Sequence, residues 1–312
     1  AAFAMLGVSP VFQANQLKQV VVDVLLQPVG IEASIMIDLL IGLVIAAIVT
    51  VVIIGGIKRI GRVAGRMVPF MVILYLLMVL VILIKNYSEI IPALQLIVTD
   101  AFTGKSVLGG AVGAVIITGV RRAAFSNEAG IGTAPMAHGA AKTNEPVREG
   151  LVAMLGPIID TLIVCTITAL AIVVTGVWDV EGVSGITLTA EAMEKGIPDI
   201  GPYLLIVAVT VFAMTTLFAF PYYGTKSFAY LFGTRYAYIY KILYIMSIPV
   251  ATVSSLRVII SLVDSAYALM AFPTVISALI LAPKARAAAK SYFARYNREK
   301  RKKQVGNGKQ SS

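Results

Sequence analysis

Residues 119–135 read GVRRAAFSNEAGIGTAP and lie between apolar stretches long enough to cross a membrane. The run contains two arginines, a glutamate, an asparagine and three glycines. Ionisable residues within a membrane are rare and mark functional sites by default. Non-helical backbone is tolerated at that depth only where it lines a cavity or is buried in protein. The run therefore predicts a helix that is broken at a polar binding site, as in many secondary transporters.

The composition of the 312-residue chain excludes a soluble domain. Hydrophobic residues make up 58% and charged residues 13%, whereas soluble domains contain about 25% charged residues. Much of the net charge of +10 lies in the basic run 284–303, after the last apolar stretch. Such a run is typical of a cytoplasmic flank and does not indicate a nucleic-acid partner. We predict an all-α, polytopic protein of the inner (plasma) membrane whose C terminus is cytoplasmic.

Apolar runs of about 20 residues predict membrane-spanning helices. Six are clear, at 33–56, 67–84, 150–176, 202–222, 236–262 and 265–283. The segment 1–13 is predicted to be the end of a helix already under way, so we expect upstream helices to be missing. A basic loop at 57–66 and an acidic loop at 177–201 agree with one orientation, in which the basic loop is cytoplasmic.

The order of these segments predicts an inverted repeat, the arrangement in which broken helices form a site at the membrane midplane. The predicted parts are the last helices of a first repeat (1–84), an extracellular connection (85–106), a second five-helix repeat that starts with the broken helix (107–283), and a basic cytoplasmic tail (284–312). The alternative is that 119–135 forms a polar cytoplasmic loop, which would disturb the charge pattern.

A broken helix leaves main-chain groups without helical partners. Free carbonyls around 124–126 would suit an ammonium group or Na⁺, and free N–H groups around 129–131 would suit an anion. A zwitterionic amino acid uses both polarities, and Phe125 would form a wall of its side-chain pocket. We expect Glu128 to pair with one of the two neighbouring arginines rather than to bind a ligand.

Two further polar spots have a functional and a structural interpretation. Thr215 and Thr216 offer adjacent hydroxyl oxygens, the ligand type that Na⁺ prefers, or they bond to carbonyls of their own helix. Gln13 and Asn15 are interpreted as polar residues at the end of the first helix.

Two acidic residues also fall in the apolar part of the chain. Asp160 lies inside a predicted span and should face the bundle interior. Asp264 is predicted to lie in a short outside turn between the last two spans.

The sequence does not predict an enzyme. His138 is the only histidine, and a metal site would need further ligands at suitable spacing. No nucleophile, base and orienting group come together in the sequence. A membrane-embedded transferase that uses His138 and Glu128 is the competing enzyme hypothesis. A channel would need a continuous polar pore, which these apolar spans do not supply.

Four stretches resemble the sodium:alanine (alanine or glycine:cation) symporter family. They are GVRRAAFSNEAGIGTAPMAHGAAKT (119–143), VREGLVAMLGPIIDTLIVCTITALAIVVTG (147–176), GGIKRIGRVAGRMVPFM (55–71) and TTLFAFPYYG (215–224). The resemblance covers nearly the whole chain except the tail. It implies the fold of the bacterial leucine transporter, with two inverted five-helix repeats. It also implies import of alanine, glycine or a similar small neutral amino acid with Na⁺ by alternating access; proton-coupled transport of another small amino acid is the alternative.

The resemblance also implies roles for individual residues. Those implied at the substrate site are Phe125, Ser126, Asn127, Ala129, Gly130, Ile131 and Gln13. Thr215 and Thr216 would lie on the helix that supplies Na⁺ ligands. The implied partners are a small neutral amino acid, Na⁺ as the co-transported ion, the lipid bilayer and the missing N-terminal helices of the same protein; no cofactor is implied.

Two departures from the family pattern concern this chain. Phe220 and Pro221 stand where the family usually has a Trp-Ser pair. The family's first broken helix, with its glycine-rich run, is absent, so we expect that residues 1–312 do not transport by themselves.

Overall fold

The computed structural model describes residues 2–102, 111–129, 131–180 and 185–308, and these are almost entirely α-helical, with no β-strand among them. The helices are α1 (Ala2–Val21), α2 (Ile35–Ile54), α3 (Gly56–Lys85), α4 (Ile90–Phe102), α5 (Ala111–Asn127), α6 (Ala134–His138), α7 (Pro146–Val174), α8 (Ile186–Gly196), α9 (Gly201–Phe232), α10 (Ala237–Val253) and α11 (Leu256–Gly308). The middle of α7, Ile158–Cys165, is π-helical.

Six of these helices are long and apolar enough to cross a membrane, namely α2, α3, α7, α9, α10 and α11. Their outer faces expose large apolar side chains, such as Leu40, Leu162 and Leu279. Helices that are apolar all round are buried either in the core of a large protein or in a membrane, and these outer faces are not covered by the described protein. The prediction of a polytopic α-helical membrane protein is therefore confirmed.

The predicted basic loop at 57–66 is wrong, because this stretch forms the first turns of α3. The chain turns only at Gly55 and Gly56, where Gly56 has a left-handed backbone with φ +66°. The guanidinium of Arg59 donates to the Val51 carbonyl at 2.8 Å and satisfies an acceptor near the end of α2. A basic side chain thus caps a helix C terminus, and no loop is needed.

The predicted helix ends around Pro221 and Asp264 are also wrong. Helix α9 continues through Pro221 to Phe232 and ends before Gly233, whose φ is +91°. A membrane helix tolerates an internal proline because neighbouring groups satisfy the freed carbonyl. The last two spans separate at Ser254 and Ser255, so Asp264 lies inside α11 and not in a turn.

Both ends of the described chain are more helical than predicted. Helix α1 extends to Val21, so Gln13 lies in the middle of a helix and not at its end. At the other end, α11 continues past residue 284 to Gly308, so the predicted basic tail is helical as far as it is described. The connection 85–106 contains α4.

Helix α1 is the centre of the packing, and it contacts α9, α10 and α11 along its length. The main core contains fully buried residues from several helices, among them Val49, Leu217, Tyr244 and Ile259. A second core lies between α3, α7, α8 and α9 around Ile82. Helix α1 is therefore surrounded by protein on most sides. In a membrane protein, polar residues find hydrogen-bond partners in such interior positions.

Candidate functional site

The predicted break in α5 is present. The helix ends at Asn127, and Glu128 adopts a left-handed conformation with φ +56°. The Glu128 N–H donates to the Ala124 carbonyl at 3.1 Å and closes the last helical turn. Gly132 then takes φ +99° before the short helix α6 begins. A left-handed residue other than glycine costs about 1 kcal/mol, so surrounding contacts must hold this break in place.

The main-chain N–H groups of Ala129 and Ile131 are bonded, so the prediction of free N–H groups around 129–131 is wrong for these two residues. The Ala129 N–H donates to the side-chain oxygen of Asn127 at 2.9 Å. The Ile131 N–H donates to the Glu128 carbonyl at 3.3 Å. Gly130 lies outside the described residues, as does the side chain of Phe125. In this conformation the break satisfies two of its own donors through local turns.

The side chains at the end of α5 point toward α7. The Ser126 hydroxyl donates to Asp160 Oδ2 at 2.7 Å. The Asn127 amide donates to Thr161 Oγ1 at 2.9 Å, and the Thr161 hydroxyl contacts Asp160 Oδ2 at 3.4 Å. Asp160 was predicted to face the bundle interior, and here it faces the end of α5. The cluster joins the break to the π-helical part of α7.

The π-helical segment explains why Asp160 reaches the break. Pro157 precedes it and has no N–H for the helical ladder. Directly after the segment, the Thr166 hydroxyl donates to the carbonyl of Thr161, five residues earlier, at 3.3 Å. A π-helical turn is wider than an α-helical one and often occurs at functional sites. The wide turn presents adjacent Asp160 and Thr161 to the same neighbour.

A cavity of about 430 Å³ lies beside this cluster, between α3, α7 and α9. Ser126 and Asp160 belong to its wall, together with Tyr75 and Cys165. The remaining lining is mostly aliphatic and aromatic, including Leu76 and Phe212. Small-molecule sites combine an apolar wall with a few polar groups in this way.

The predicted cation ligands Thr215 and Thr216 lie on α9. Both hydroxyls donate to the carbonyl of Phe212, at 2.9 and 3.0 Å. These are the bonds of the structural alternative, and they occupy the hydroxyl protons only. Phe212 lines the cavity near Asp160, so the threonine pair lies on the helix that borders this cavity.

Gln13 lies on α1 and is buried, like its neighbours Asn15 and Gln16. The Asn15 amide donates to the carbonyls of Ala251 and Ser254, at 3.2 and 2.9 Å, where α10 ends. Ile131 of the break is only 3% exposed and packs in the same core as α1. The fold thus brings the helix of Gln13 and the far side of the break into one apolar core.

A second cavity, of about 520 Å³, lies between α5 and α11. Arg121, Ile131, Asp264 and Tyr267 belong to its lining. Arg122 forms an ion pair with Asp264, with a nitrogen–oxygen distance of 3.6 Å. Within the described ranges, no ion pair joins Glu128 to either arginine, so that expected pairing is wrong.

Asp264 is the residue of this second cavity that the sequence interpretation missed. Ser261, Asp264 and Ser265 recur at the spacing of one helix face. This polar stripe could have identified Asp264 as part of a polar helix face. The predicted turn at 263–264 instead placed it outside the helices. His138, the residue of the transferase hypothesis, contacts Glu149 at 2.7 Å at the junction of α6 and α7.

Comparison with known proteins gives a family and several relatives. A family model described as the sodium:alanine symporter family matches residues 1–306. An uncharacterized transporter of Haemophilus influenzae is 38% identical over 305 residues, which are 94% of this chain and 65% of that protein. The sodium/alanine symporter AgcS of Methanococcus maripaludis is 37% identical over 283 residues, 90% of this chain and 60% of that protein.

A third relative has a name that mentions protons. A putative sodium/proton-dependent alanine carrier protein, YrbD of Bacillus subtilis, is 34% identical over 270 residues, 81% of this chain and 54% of that protein. The chain thus spans between 54% and 65% of the length of these three relatives.

Proposed function

Because the chain belongs to the sodium:alanine symporter family, we propose that it acts in Na⁺-coupled import of alanine, glycine or a similar small neutral amino acid. The members of this family are membrane transporters and not enzymes. The match over residues 1–306 is the single observation that carries this proposal. The broken helix with its polar partners on α7 supports it, because transporters bind solutes at such breaks.

The proposed mechanism is alternating access around the break. The proposal includes the inverted-repeat fold, with 1–84 and 107–283 in the two repeats and 85–106 connecting them, and a cytoplasmic segment 284–312. Substrate and Na⁺ shift the population between outward-open and inward-open states through their differential affinity for the two. The membrane potential contributes about 2.3 kcal/mol per positive charge per 100 mV.

We assign the substrate to the break between α5 and α6. Phe125 and 129–131 would form its pocket, and Gln13 would approach it from α1. Ser126 and Asn127 would contribute main-chain atoms, since their side chains already bond to α7. Thr215 and Thr216 would offer hydroxyl oxygens to Na⁺.

Proton coupling is the second candidate, and two observations favour it. One relative is named a sodium/proton-dependent carrier. The carboxylate of Asp160 lies between helices of membrane-spanning length, where acidic residues can serve as proton carriers.

The test is uptake of radiolabelled alanine into proteoliposomes that hold the gene product containing this chain. One arm has an inward Na⁺ gradient, and the other has choline in place of Na⁺. Uptake that needs Na⁺ supports the proposal. Equal uptake in both arms, with acceleration by an inward proton gradient, supports proton coupling. Absence of alanine and glycine uptake in every arm contradicts the proposed substrates.

A further inference from the structure

Helix α9 passes through a proline without ending. Pro221 has no N–H, so the carbonyl of Leu217, four residues earlier, loses its helical partner. Leu217 is fully buried, and a buried carbonyl without a donor costs free energy. The continuation of α9 to Phe232 therefore requires a donor from another part of the protein.

Tyr244 on α10 is that donor. Its side chain is fully buried, and its hydroxyl donates to the Leu217 carbonyl at 3.1 Å. Tyr240 precedes Tyr244 by one helical turn and lies on the same face of α10. The hydroxyl end of Tyr240 lies against Gly224, just beyond the proline. Helix α10 thus contacts α9 on both sides of Pro221.

The two tyrosines differ in what their hydroxyls do. The Tyr244 hydroxyl has an acceptor that the proline freed, whereas the Tyr240 hydroxyl is buried without a hydrogen-bond partner in the described part of the chain. Tyr240 fills the space that Gly224 leaves, because a Cβ at that glycine would overlap the tyrosine hydroxyl. Packing by the ring and bonding by the hydroxyl are therefore separable at these two positions.

The bonded carbonyl belongs to the turn of α9 that carries the threonine pair. Leu217 directly follows Thr216, and the hydroxyls of Thr215 and Thr216 donate to the Phe212 carbonyl in the preceding turn. A buried carbonyl that loses its donor is costly, so without Tyr244 the turn 212–217 would shift toward another donor. Such a shift changes where the two threonine hydroxyls point.

We propose that Tyr244 is a positioning residue for Na⁺-coupled uptake. Its hydroxyl replaces the hydrogen bond that Pro221 removes and thereby fixes the turn of α9 that presents Thr215 and Thr216. The inference rests on the proposed function, because the orientation of these threonines matters for transport only if they bind Na⁺. Tyr244 acts through the main chain of α9 and not as a ligand.

The experiment is a double-mutant cycle in the gene product that contains this chain. Tyr244→Phe removes the hydroxyl and keeps the ring. Pro221→Ala restores an N–H for the Leu217 carbonyl and makes the tyrosine hydroxyl dispensable. Tyr240→Phe is the matched control, because it removes a hydroxyl from the same face of α10 that bonds to none of the described residues.

Three quantities are measured for each variant. They are the Na⁺ concentration for half-maximal alanine uptake, the alanine concentration for half-maximal uptake at saturating Na⁺, and the melting temperature in detergent. The first quantity reports on the threonine pair, the second on the substrate site, and the third on the structural contribution of the hydrogen bond.

Tyr244→Phe is expected to raise the Na⁺ concentration for half-maximal uptake at least about threefold. The alanine concentration for half-maximal uptake should stay within about twofold, because the substrate contacts remain. The melting temperature should fall by about 2–4 °C. In the Pro221→Ala background the same substitution should have less than about half of these effects, and Tyr240→Phe should resemble the wild type.

Three results would overturn the inference. The first is a lower melting temperature in Tyr244→Phe with unchanged Na⁺ dependence, which would make the hydroxyl purely structural. The second is an undiminished effect of Tyr244→Phe in the Pro221→Ala background, since the hydroxyl would then act elsewhere than at the freed carbonyl. The third is an effect of Tyr240→Phe as large as that of Tyr244→Phe.

Folding and Na⁺ dependence separate the inference from its premise. If Tyr244→Phe does not fold, addition of Pro221→Ala must restore folding, and failure to do so contradicts the role of the hydroxyl. Wild-type protein that shows no Na⁺-dependent uptake would refute the proposed function and with it the role in transport. The melting temperatures of the cycle would still show whether the hydroxyl and the proline are coupled.

Discussion

The polar residues of α1 and those at the end of α5 lie in similarly apolar surroundings but are satisfied differently. Asn15 on α1 is 3% exposed and donates to two main-chain carbonyls where α10 ends. Ser126 and Asn127 on α5 bond instead to side chains of α7, beside a cavity. An amide whose two N–H groups close a helix end has no donor left for a ligand, whereas hydroxyls beside a carboxylate keep lone pairs for one. The first cluster therefore has a structural role, and the second is suited to binding.

Gly132→Ala should have the largest effect on stability and uptake, because it changes a residue of the break itself. Gly132 has φ +99°, and a Cβ there would lie 2.6 Å from Thr274 Oγ1 on α11. Backbone strain and overpacking together predict destabilisation by about 2–4 kcal/mol. Thermal melting in detergent should show the loss of stability, and alanine uptake should disappear.

Gly119→Ala is the control for that variant. Gly119 lies in α5, with open space around the added Cβ. Alanine is favoured over glycine inside a helix by about 1 kcal/mol, so stability should stay equal or rise. A Gly132→Ala protein that melts and transports like Gly119→Ala would show that the turn at the break does not need a glycine.

Asn15→Leu should have the next largest effect, on stability alone. It leaves the Ala251 and Ser254 carbonyls without this donor, and an unsatisfied buried group costs about 1–3 kcal/mol. The melting temperature should fall, while the Na⁺ concentration for half-maximal uptake stays unchanged in the folded fraction. Ser247→Ala on α10, whose hydroxyl donates to the Tyr244 carbonyl of its own helix, is the control. A shift in Na⁺ dependence would remove the distinction between the two clusters.

Thr215→Val and Thr216→Val test whether α9 holds a cation. The two hydroxyls share the Phe212 carbonyl, so valine in either place should change stability by under about 1 kcal/mol. A role as Na⁺ ligand predicts a rise of about five- to tenfold in the Na⁺ concentration for half-maximal uptake, near 1 kcal/mol. Thr50→Val on α2, whose hydroxyl donates to the Ala46 carbonyl of its own helix at 2.6 Å, serves as a hydroxyl control. Unchanged Na⁺ dependence in both variants would leave only the structural interpretation.

The ion pair between α5 and α11 should have the smallest effect. Arg122 and Asp264 are 46% and 27% exposed and 3.6 Å apart, and such pairs contribute about 0.2–1 kcal/mol. A double-mutant cycle with Arg122→Gln and Asp264→Asn should give a coupling energy of about 0.5 kcal/mol in thermal melts. A coupling above about 2 kcal/mol would mean that the pair locks α5 and α11 together.

Sequence reasoning was most successful where composition decides the outcome. Six apolar runs predicted six helices of spanning length, and the polar run at 119–135 predicted the break. The predicted helix ends were wrong where a contact with a residue distant in sequence determines the end of the helix. Pro221 suggests the end of a helix, but α9 continues through it to Phe232. Beyond the proline, Gly224 lies against the side chain of Tyr240 on α10. The separation of α10 and α11 occurs at Ser254, whose carbonyl accepts from Asn15, 239 residues earlier.

The sequence by itself determined the class of the protein, its membrane-length helices, its family and the place of the broken helix. Each of these follows from the local density of apolar and polar residues or from contiguous motifs. Only the tertiary structure decided which helix the break faces, that Asp160 meets Ser126, and that Asp264 pairs with Arg122. These contacts join residues 34 and 142 positions apart, and apolar helices of similar composition do not reveal their neighbours. A wide π-helical turn and a left-handed Glu128 set the geometry, and packing holds both.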